Sequence, residues 1–501
     1  MDGTKRCDTL NIEMTRKVPI KRTKIIATLG PASDHDAVIT KMIQSGVDIF
    51  RLNASHQSNP EYISGVVTRI RRLAKNAQKS VGIFLYLQGP KIRTGEFKVK
   101  KAILKNGQPF IITTRKQMGD ATGCSVSYAG LVKDVNVGEL VYIDDGKIRL
   151  KVVDKKPFQL ICKVIEGGQV SNHKGINLPA SNIKISALTE KDRADARTAV
   201  ENQLDYLAIS FVRDAQDIRA LRKYLITHCG KTIPIIAKME LQLALDNMRA
   251  IVDEADAVMV ARGDLGVEIG VENVPFAQKR IIHESNRRIK PVIVATQMLE
   301  TMTHQHTATR AEVSDVANAI YDRCDAVMLS GETAVGIDPP GAVGVMRTIC
   351  EATDSHMITI KKQDISSSKF IFSKSVKSTT TTLVKAADQI AQENEASALL
   401  VFTKSGQSAL IASKLNPMIP IIAATDNDTA LRRMALFKGV VPVMLPQEFD
   451  TIHRWRDMID LALERAKHRK YLKRGDRVVI TAGIPLSEAG GTNSIRIQTV
   501  E

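Results

Sequence analysis

The 501-residue sequence lacks the features of several broad protein classes. It contains no apolar run of about 18 residues or more, so we expect no membrane-spanning helix, and its mixed, polar beginning is unlike a signal peptide. The six cysteines are scattered and form no CxxC pair, which excludes a disulfide framework and a zinc site of that kind. This cysteine usage is typical of a reduced compartment, so we expect a cytoplasmic protein.

Common phosphate and metal motifs are missing as well. No two glycines lie two residues apart, which excludes GxGxxG, and Leu225 stands where a P-loop ending in Gly230-Lys231-Thr232 would need its first glycine. None of the ten histidines belongs to an HExxH motif, so a zinc protease of that type is excluded. Other groups must therefore hold any phosphate.

Positive charge is in excess and unevenly distributed. Lys and Arg number 71 against 54 Asp and Glu, a formal net charge of +17. The segment 88–184 alone contains 17 Lys or Arg and 8 Asp or Glu. This excess is compatible with an enzyme for polyanionic small molecules, with a nucleic-acid surface, or with solvated lysines on a small domain.

Eight short apolar segments, each followed by a turn and a helical pattern, predict repeated βα units. They cover 23–30, 47–55, 80–87, 206–211, 233–239, 257–263, 291–297 and 326–332. Near-continuous apolar strands are typical of a parallel sheet buried on both faces, and eight units suggest a closed (β/α)8 barrel. The count alone also fits a doubly wound sheet.

Reactive side chains at the predicted carboxyl ends of these strands favour the barrel, because that rim is the active face of such barrels. They are Arg51, Asn53, Ser55, Lys238, Glu240, Asp264, Thr296, Ser330 and Glu332. We therefore expect one site at the rim, built from several strands.

The predicted barrel, 21–87 and 185–356, follows an N-terminal segment, 1–20, and carries two further domains. The interval between the third and fourth strands is far longer than a βα connection needs. Its short alternating runs predict an inserted small antiparallel β-barrel at 88–184, which would act as a lid. A Lys-, Ser- and Thr-rich linker at 361–382 and the βα pattern beyond it predict a C-terminal α/β domain at 357–501.

One group of residues suggests a metal site. Lys238 and Glu240 share a strand face, and Asp264 at the next strand end would bring a second carboxylate to them. Paired carboxylates suit a hard divalent cation such as Mg²⁺. A structural salt bridge among the three residues explains the spacing equally well. Gly263 and Gly266 could also present free backbone N–H groups to an anion at a helix start.

Two other groups suggest anion binding. Arg51, Asn53 and Ser55 share one strand face, whereas His56 points away, and an arginine fork there can bind a phosphate through two bonds. The segment 88–95, QGPKIRTG, combines a Gly-Pro hinge with two basic residues at the entrance to the inserted domain.

These motifs and others along the chain resemble the pyruvate kinase family. In chain order they are RLNxSH, QGPKIRTG, DDGKIRL, HKGINLP, DYLAISFVR, ARGDLGVEI, ATQMLETM, TRAEVSDVANA and VMLSGETA. The resemblance implies a barrel, a lid and a C-terminal effector domain, usually in a homotetramer. It also implies transfer of a phosphoryl group from phosphoenolpyruvate to ADP, giving pyruvate and ATP.

The resemblance implies a role for each matching position. Arg51 and Lys238 would hold the transferring phosphoryl group, and Lys238 would also stabilise the enolate. Glu240 and Asp264 would bind Mg²⁺ or Mn²⁺, and backbone groups at Gly263 and Asp264 would bind the substrate carboxylate.

The remaining roles concern proton transfer and the nucleotide. Thr296 would lie by the methylene carbon of the substrate, and Ser330 with Glu332 would belong to the water network that protonates the enolate. The residues that would approach the nucleotide are Asn53, His56, Arg93 and Lys174.

The chain departs from the family pattern around the monovalent-cation position. The residues at that position are Asn53, Ser55, Tyr86, Leu87 and Lys91. Lys91 replaces an acid found in most members and resembles a subgroup that works without K⁺, its ammonium group replacing the charge of the metal. Leu87, where K⁺-dependent members have a hydroxyl residue, points the same way. Tyr86 replaces an aspartate, supplies no negative charge at neutral pH, and is expected to lower activity.

A loop in the third domain joins a predicted strand to a helix and offers hydroxyl and backbone N–H groups to a phosphate. Its residues are Thr403, Lys404, Ser405, Gly406 and Ser408. By resemblance it would bind a phosphorylated activator under a closing loop at 490–493, although a plain turn is the alternative.

Two other functions remain open from the sequence. One is a carbon–carbon lyase on a related phosphoenolpyruvate/pyruvate barrel, although such barrels lack the long lid and the effector domain. The other is a catalytically weakened relative that binds nucleic acid, suggested by the net charge of +17 and by Tyr86. Aromatic residues are sparse, at 4%, which disfavours nucleic-acid binding.

Overall fold

The computed structural model describes residues 21–54, 59–179, 183, 185–363, 372–446, 455–484 and 491–501. Several predictions fall outside these ranges: the N-terminal segment 1–20, the site residues Ser55 and His56, the serines at 366–368 of the linker, and Gly490 of the closing loop. The five described cysteines are free.

The described chain alternates between strands and helices. The strands are β1 (Lys24–Thr28), β2 (Ile49–Asn53), β3 (Gly82–Tyr86), β4 (Lys101–Leu104), β5 (Pro109–Thr113), β6 (Gly123–Ser125), β7 (Leu140–Ile143), β8 (Ile148–Lys156), β9 (Gln159–Glu166), β10 (Gly168–Ser171), β11 (Ile176–Asn177), β12 (Tyr206–Ile209), β13 (Ile235–Met239), β14 (Ala257–Ala261), β15 (Val292–Ala295), β16 (Ala326–Leu329), β17 (Ala398–Phe402), β18 (Ile421–Thr425), β19 (Val440–Met444), β20 (Arg477–Ala482) and β21 (Ser494–Thr499). The helices are α1 (Asp36–Ser45), α2 (Pro60–Asn76), α3 (Leu131–Asp134), α4 (Glu190–Glu201), α5 (Ala215–Cys229), α6 (Gln242–Asp246), α7 (Met248–Glu254), α8 (Arg262–Ile269), α9 (Val274–Arg287), α10 (Arg310–Tyr321), α11 (Gly331–Ala334), α12 (Pro339–Gln363), α13 (Thr379–Glu393), α14 (Gln407–Leu415), α15 (Asp428–Arg433) and α16 (Trp455–His468).

Eight parallel strands close into a barrel, which confirms the predicted fold class. Around the ring the order is β1, β16, β15, β14, β13, β12, β3 and β2. All residues of β1, β13 and β14 are buried, as expected for strands covered on both faces. The pairing of β3 with β12 closes the ring across the inserted domain.

Side-chain alternation places the reactive residues inside the barrel. Ile49, Phe84 and Ile236 belong to an apolar cluster that includes the barrel interior. Because residues two apart on a strand share a face, Arg51, Tyr86 and Lys238 lie one layer above them, at the carboxyl end of the barrel.

The inserted domain is a β structure with its own core. Its main sheet has the order β11, β7, β8, β9, β5 and β6, and β10 pairs with β4 in a second, two-stranded sheet. Phe110 and Ile112 lie in its fully buried centre. At its entrance, the backbone N–H of Gly89 donates to the carboxylate of Asp192, which also completes the capping box of α4.

The C-terminal domain is a five-stranded sheet with the order β19, β18, β17, β20 and β21. The antiparallel edge strand β21 was not predicted. Helix α12 runs to Gln363, so the predicted boundary between residues 356 and 357 falls inside a helix and the first residues of the predicted linker are helical. The physical reason is that 345–363 contains no Gly or Pro to end the helix.

The C-terminal domain packs against the amino end of the barrel through buried charge pairs. Lys414 of α14 contacts Asp325, and its Nζ donates to Asn286 at 2.8 Å. Arg432 Nε lies 2.8 Å from Asp205 of the barrel.

Within the described residues, no helix has the length and apolar character needed to cross a membrane.

Candidate active site

Lys238 lies at the centre of the barrel mouth. It belongs to β13, its side chain is almost fully buried, and its Nζ contacts three oxygen-bearing groups. These are the carboxylate of Glu240, Asp264 Oδ2 at 2.7 Å and the Tyr86 hydroxyl at 2.8 Å. Burial disfavours the ammonium charge, but Glu240, Tyr86 and Asp264 outweigh it and raise the pKa of Lys238.

The two predicted metal ligands converge on the same point. Glu240 follows β13 and Asp264 lies in the first turn of α8, yet both carboxylates contact the ammonium group of Lys238. Burial raises the pKa of Glu240. Burial also acts on Asp264, but Lys238 outweighs it and lowers the pKa of that carboxyl. This arrangement is a salt-bridged cluster whose carboxylates could also hold a cation.

The donor set fits a divalent ion of the Mg²⁺ type. Glu240 Oε1 accepts from the backbone N–H of Phe211 at 2.6 Å, whereas Oε2 is buried and lies against the ammonium group of Lys238. A hard cation with few protein ligands would satisfy such an oxygen. In the described part of the chain, no group of three or more His, Cys, Asp or Glu is placed to bind a metal.

Arg51 and Tyr86 complete the mouth from β2 and β3. The guanidinium carbon of Arg51 lies 4.4 Å from the centre of the Tyr86 ring. Arg51 Nε is buried without a hydrogen-bond partner in the described structure. Burial lowers the pKa of Arg51, partly offset by Tyr86 and Asp264. The strand register places Tyr86 beside Asn53, another predicted site residue.

Strand ends on the other side of the mouth bring Thr296, Ser330 and Glu332 to the rim. Thr296, at a φ of +67°, accepts from the backbone N–H of Gly263 at 2.9 Å through Oγ1. The Glu332 carboxylate accepts from the backbone N–H groups of Ser330 at 2.7 Å and Leu299 at 3.0 Å. Ser330 Oγ is buried without a partner in the described residues. The Gly263 amide, predicted to be free for an anion, is therefore engaged by Thr296.

The lid supplies basic side chains that are mostly held within the lid. Lys174 Nζ lies 2.8 Å from Asp144, and Arg93 donates to the backbone carbonyl of His173 at 3.0 Å. Lys91 reaches further, because its charge helps to lower the pKa of Asp264. Its Nζ also lies 3.9 Å from Asp145, so Lys91 has an acidic neighbour although Tyr86 supplies none.

Glu268 is a site residue that the sequence analysis missed. Burial, together with the charges of Glu240 and Asp264, raises its pKa to about 7, and Asn177 of the lid donates to it at 3.4 Å. It lines an open cleft of about 1100 Å³ between lid and barrel that also includes Asp264 and Thr296. Its spacing of four residues from Asp264 on α8 was the available signal.

The predicted phosphate loop lies between β17 and α14. Gly406 adopts a φ of +88°, and its N–H donates to Thr403 Oγ1 at 2.9 Å. Ser408 Oγ lies 2.9 Å from Thr492 Oγ1, so the loop contacts the segment near residue 492.

Leu87, which was predicted at the monovalent-cation position, has a buried side chain that belongs to the packed core of the barrel.

Comparisons with known proteins agree on one family. Residues 20–343 match the family model described as pyruvate kinase, barrel domain, and residues 381–498 match pyruvate kinase, alpha/beta domain. The chain is 38% identical over 486 residues to a pyruvate kinase of Clostridium acetobutylicum, covering 96% of this chain and 100% of the relative. It is 41% identical to pyruvate kinase 2 of Synechocystis, covering 96% and 80%. The crystal structure of a pyruvate kinase from Cryptosporidium parvum matches with a TM-score of 0.88 at 33% identity, covering 96% of each chain.

Proposed function

The chain belongs to the pyruvate kinase family, and from this premise we propose how the mouth of its barrel performs the reaction. It is an enzyme that transfers a phosphoryl group from phosphoenolpyruvate to ADP, giving pyruvate and ATP, a step of glycolysis. Family models match both the barrel and the C-terminal domain, so the lyase and nucleic-acid alternatives are set aside.

Arg51 and Lys238 bind the transferring phosphoryl group in this proposal. Phosphoryl transfer depends mainly on positioning and on neutralising charge, and fixed cations in a water-poor site provide both. The observation that carries the proposal is the convergence of these two cations with Glu240 and Asp264 at one barrel mouth. Lys238 also stabilises the enolate oxygen as the phosphoryl group leaves.

Glu240 and Asp264 hold Mg²⁺ or Mn²⁺, which supplies positive charge to the substrate oxygens when bound. The convergence of both carboxylates on the ammonium group of Lys238 supports this assignment. Backbone groups of Gly263 and Asp264 bind the substrate carboxylate at the start of α8, and the Gly263 N–H exchanges its present bond to Thr296 Oγ1 for the substrate.

Protonation of the enolate involves Thr296, Ser330 and Glu332. Thr296 lies by the methylene carbon. Ser330 Oγ, buried without a described protein partner, supports an ordered water at this position. Glu332 fixes the local backbone by accepting two N–H groups.

The lid binds the nucleotide through basic groups. Arg93 and Lys174 are proposed to exchange their present lid contacts for nucleotide phosphates when ADP enters, and Asn53 and His56 are proposed as the other nucleotide-binding residues. A closing basic lid excludes water that would otherwise attack the phosphoryl donor.

The chain works without K⁺ in this proposal, although the family generally uses Mg²⁺ and K⁺. Lys91 supports it, because its ammonium charge already acts on Asp264 and would replace that of the ion. Leu87 offers no side-chain oxygen and is buried in the core.

The location, the subunit number and an activator site are proposed from the family pattern. We propose that the protein is a cytoplasmic homotetramer. We also propose that Thr403, Lys404, Ser405, Gly406 and Ser408 bind a phosphorylated small-molecule activator, which the left-handed turn at Gly406 and the hydroxyl-rich rim support.

A coupled assay with lactate dehydrogenase tests the function directly. Phosphoenolpyruvate, ADP and Mg²⁺ are supplied with either K⁺ or a tetramethylammonium salt at equal ionic strength. Similar turnover in both buffers is expected, and K91E should lose the K⁺-free activity. No pyruvate formation in either buffer would contradict the enzymatic assignment, whereas strict dependence on K⁺ would contradict only the role of Lys91.

A further inference from the structure

We infer that Tyr86 is a positioning residue that holds Lys238 and Arg51 in place for phosphoryl transfer. Tyr86 ends β3 and is partly buried at the barrel mouth. The inference rests on the proposed function and adds a residue to which the reaction otherwise assigns no role.

One aromatic ring lies against two cations. The Arg51 guanidinium carbon is 4.4 Å and the Lys238 Nζ is 5.1 Å from the centre of the Tyr86 ring. Two like charges at one mouth repel each other, and the negative face of a tyrosine ring attracts both without adding a formal charge. The ring therefore allows two cations to converge on a single dianionic substrate group.

The hydroxyl group distinguishes Tyr86 from a simple filler of space. It lies 2.8 Å from Lys238 Nζ, within hydrogen-bond distance. A phenylalanine would pack against the same apolar interior but would leave that proton of the ammonium group without this partner. The position of Lys238 thus depends on the oxygen atom as well as on the ring.

The hydroxyl is also the contact of Lys238 for which a divalent ion would not compete. The other two contacts are Glu240 and Asp264, which we assign to Mg²⁺. A phenol is a poor ligand for this hard cation compared with a carboxylate. Tyr86 is therefore suited to keep Lys238 aimed at the substrate whether or not the carboxylates are engaged.

Arg51 depends on the ring for its position. Its Nε is buried and has no hydrogen-bond partner within the described structure, and its guanidinium group lies against the Tyr86 ring. Loss of the ring should loosen Arg51 and weaken phosphate binding, whereas loss of the hydroxyl alone should leave Arg51 in place.

Two substitutions separate these effects. Y86F removes the hydroxyl and keeps the ring, so kcat is expected to fall about tenfold while KM for phosphoenolpyruvate stays within about twofold. Y86L removes both, so KM and the Kd for phosphoenolpyruvate, measured by calorimetry with Mg²⁺ and without ADP, should rise about fivefold in addition.

Y206F is the matched control. Tyr206 lies deeper in the same barrel interior, next to Phe84 in the strand register, and its hydroxyl donates to the carbonyl of Arg433 at 2.8 Å, remote from Lys238. Loss of the Tyr206 hydroxyl should lower Tm without lowering kcat relative to KM. Unchanged kinetics in Y86F and Y86L beside an active wild-type enzyme would overturn the inference, as would parallel losses in Y86F and Y206F. An inactive wild-type enzyme would instead contradict the proposed function.

Discussion

At the scale of single residues, the ammonium group of Lys238 gathers the two carboxylates and the Tyr86 hydroxyl at the barrel mouth. Lys238, Glu240 and Asp264 could be predicted because strand alternation and the parallel topology bring strand ends to one rim. The contact between Tyr86 and Lys238 could not, because it depends on how far the side chains of β3 and β13, which β12 separates in the ring, reach into the barrel mouth. From the sequence alone, the only prediction for Tyr86 was the loss of the negative charge that an aspartate would supply there.

Replacing Lys238 tests the central electrostatic claim. K238A removes the cation that both phosphoryl and enolate oxygens would face. The transition state should therefore lose about 3 kcal/mol of stabilisation or more, which lowers kcat/KM. Steady-state kinetics with the coupled assay measures this loss. Turnover within about twofold of wild type would exclude the assigned role. K290A, at the opposite end of the barrel, where Lys290 donates to the carbonyl of Ala255, is the control and should retain activity.

The raised pKa of Glu268 predicts that the stability of the folded protein depends on pH. Burial raises its pKa from the ordinary 4.5 to about 7 in the fold, so the folded protein binds more protons than the unfolded chain between these values. Its contribution is therefore complete below about pH 4.5 and is lost as pH rises to about 7, by at most about 3 kcal/mol. Urea unfolding of the metal-free protein across this range should show a flatter profile for E268Q. An identical pH slope in wild type and E268Q would contradict the shift, and E272Q at an exposed neighbouring position serves as control.

At the scale of elements, helices and strands were predicted where apolar periodicity was strong. All eight barrel strands overlap the predicted segments. The edge strand β21 was missed because its residues are largely exposed and polar on one side. The linker at 361–382 was predicted from its run of Lys, Ser and Thr, but its first residues continue α12, because 345–363 contains no Gly or Pro to end the helix.

Helix α14 connects the proposed phosphate loop at its amino end to the barrel at its carboxyl end. There, Lys414 is buried and contacts Asp325 at the base of β16. Removing one partner of a buried pair leaves the other charge uncompensated, so K414M should lower the free energy of unfolding by about 3 to 5 kcal/mol. Urea denaturation measures this change, and K414M/D325L should recover part of it. A loss below about 1 kcal/mol would show that the pair does not secure the interface.

At the scale of the whole molecule, the sequence predicted the three domains but not their packing. The lid position follows from the point of insertion, since a segment leaving the carboxyl end of a barrel strand emerges at the active face. Attachment of the C-terminal domain to the opposite face depends on buried pairs such as Arg432 with Asp205. These partners are distant in sequence and carry no shared local pattern, so spacing could not reveal them.

We propose that an apolar patch on the outside of the barrel takes part in the association of the subunits. Its residues, Val271, Phe276 and Val313, are 76%, 67% and 38% exposed and lie just before α9, on α9 and on α10. Single exposed apolar residues are ordinary, but several on consecutive elements can form an interaction surface. For the proposed homotetramer, light scattering should give a mass near four copies of 55.0 kDa.

F276E should dissociate this assembly while leaving the circular dichroism spectrum unchanged, because a buried, unpaired carboxylate is unfavourable at an apolar contact. The matched control is I226E, since Ile226 is 53% exposed on α5, on a different flank of the barrel. The I226E protein should keep the wild-type mass, because its helix does not adjoin the patch. A monomeric wild type would contradict the proposed assembly, whereas an F276E protein of unchanged mass would place the subunit contact elsewhere on the molecule.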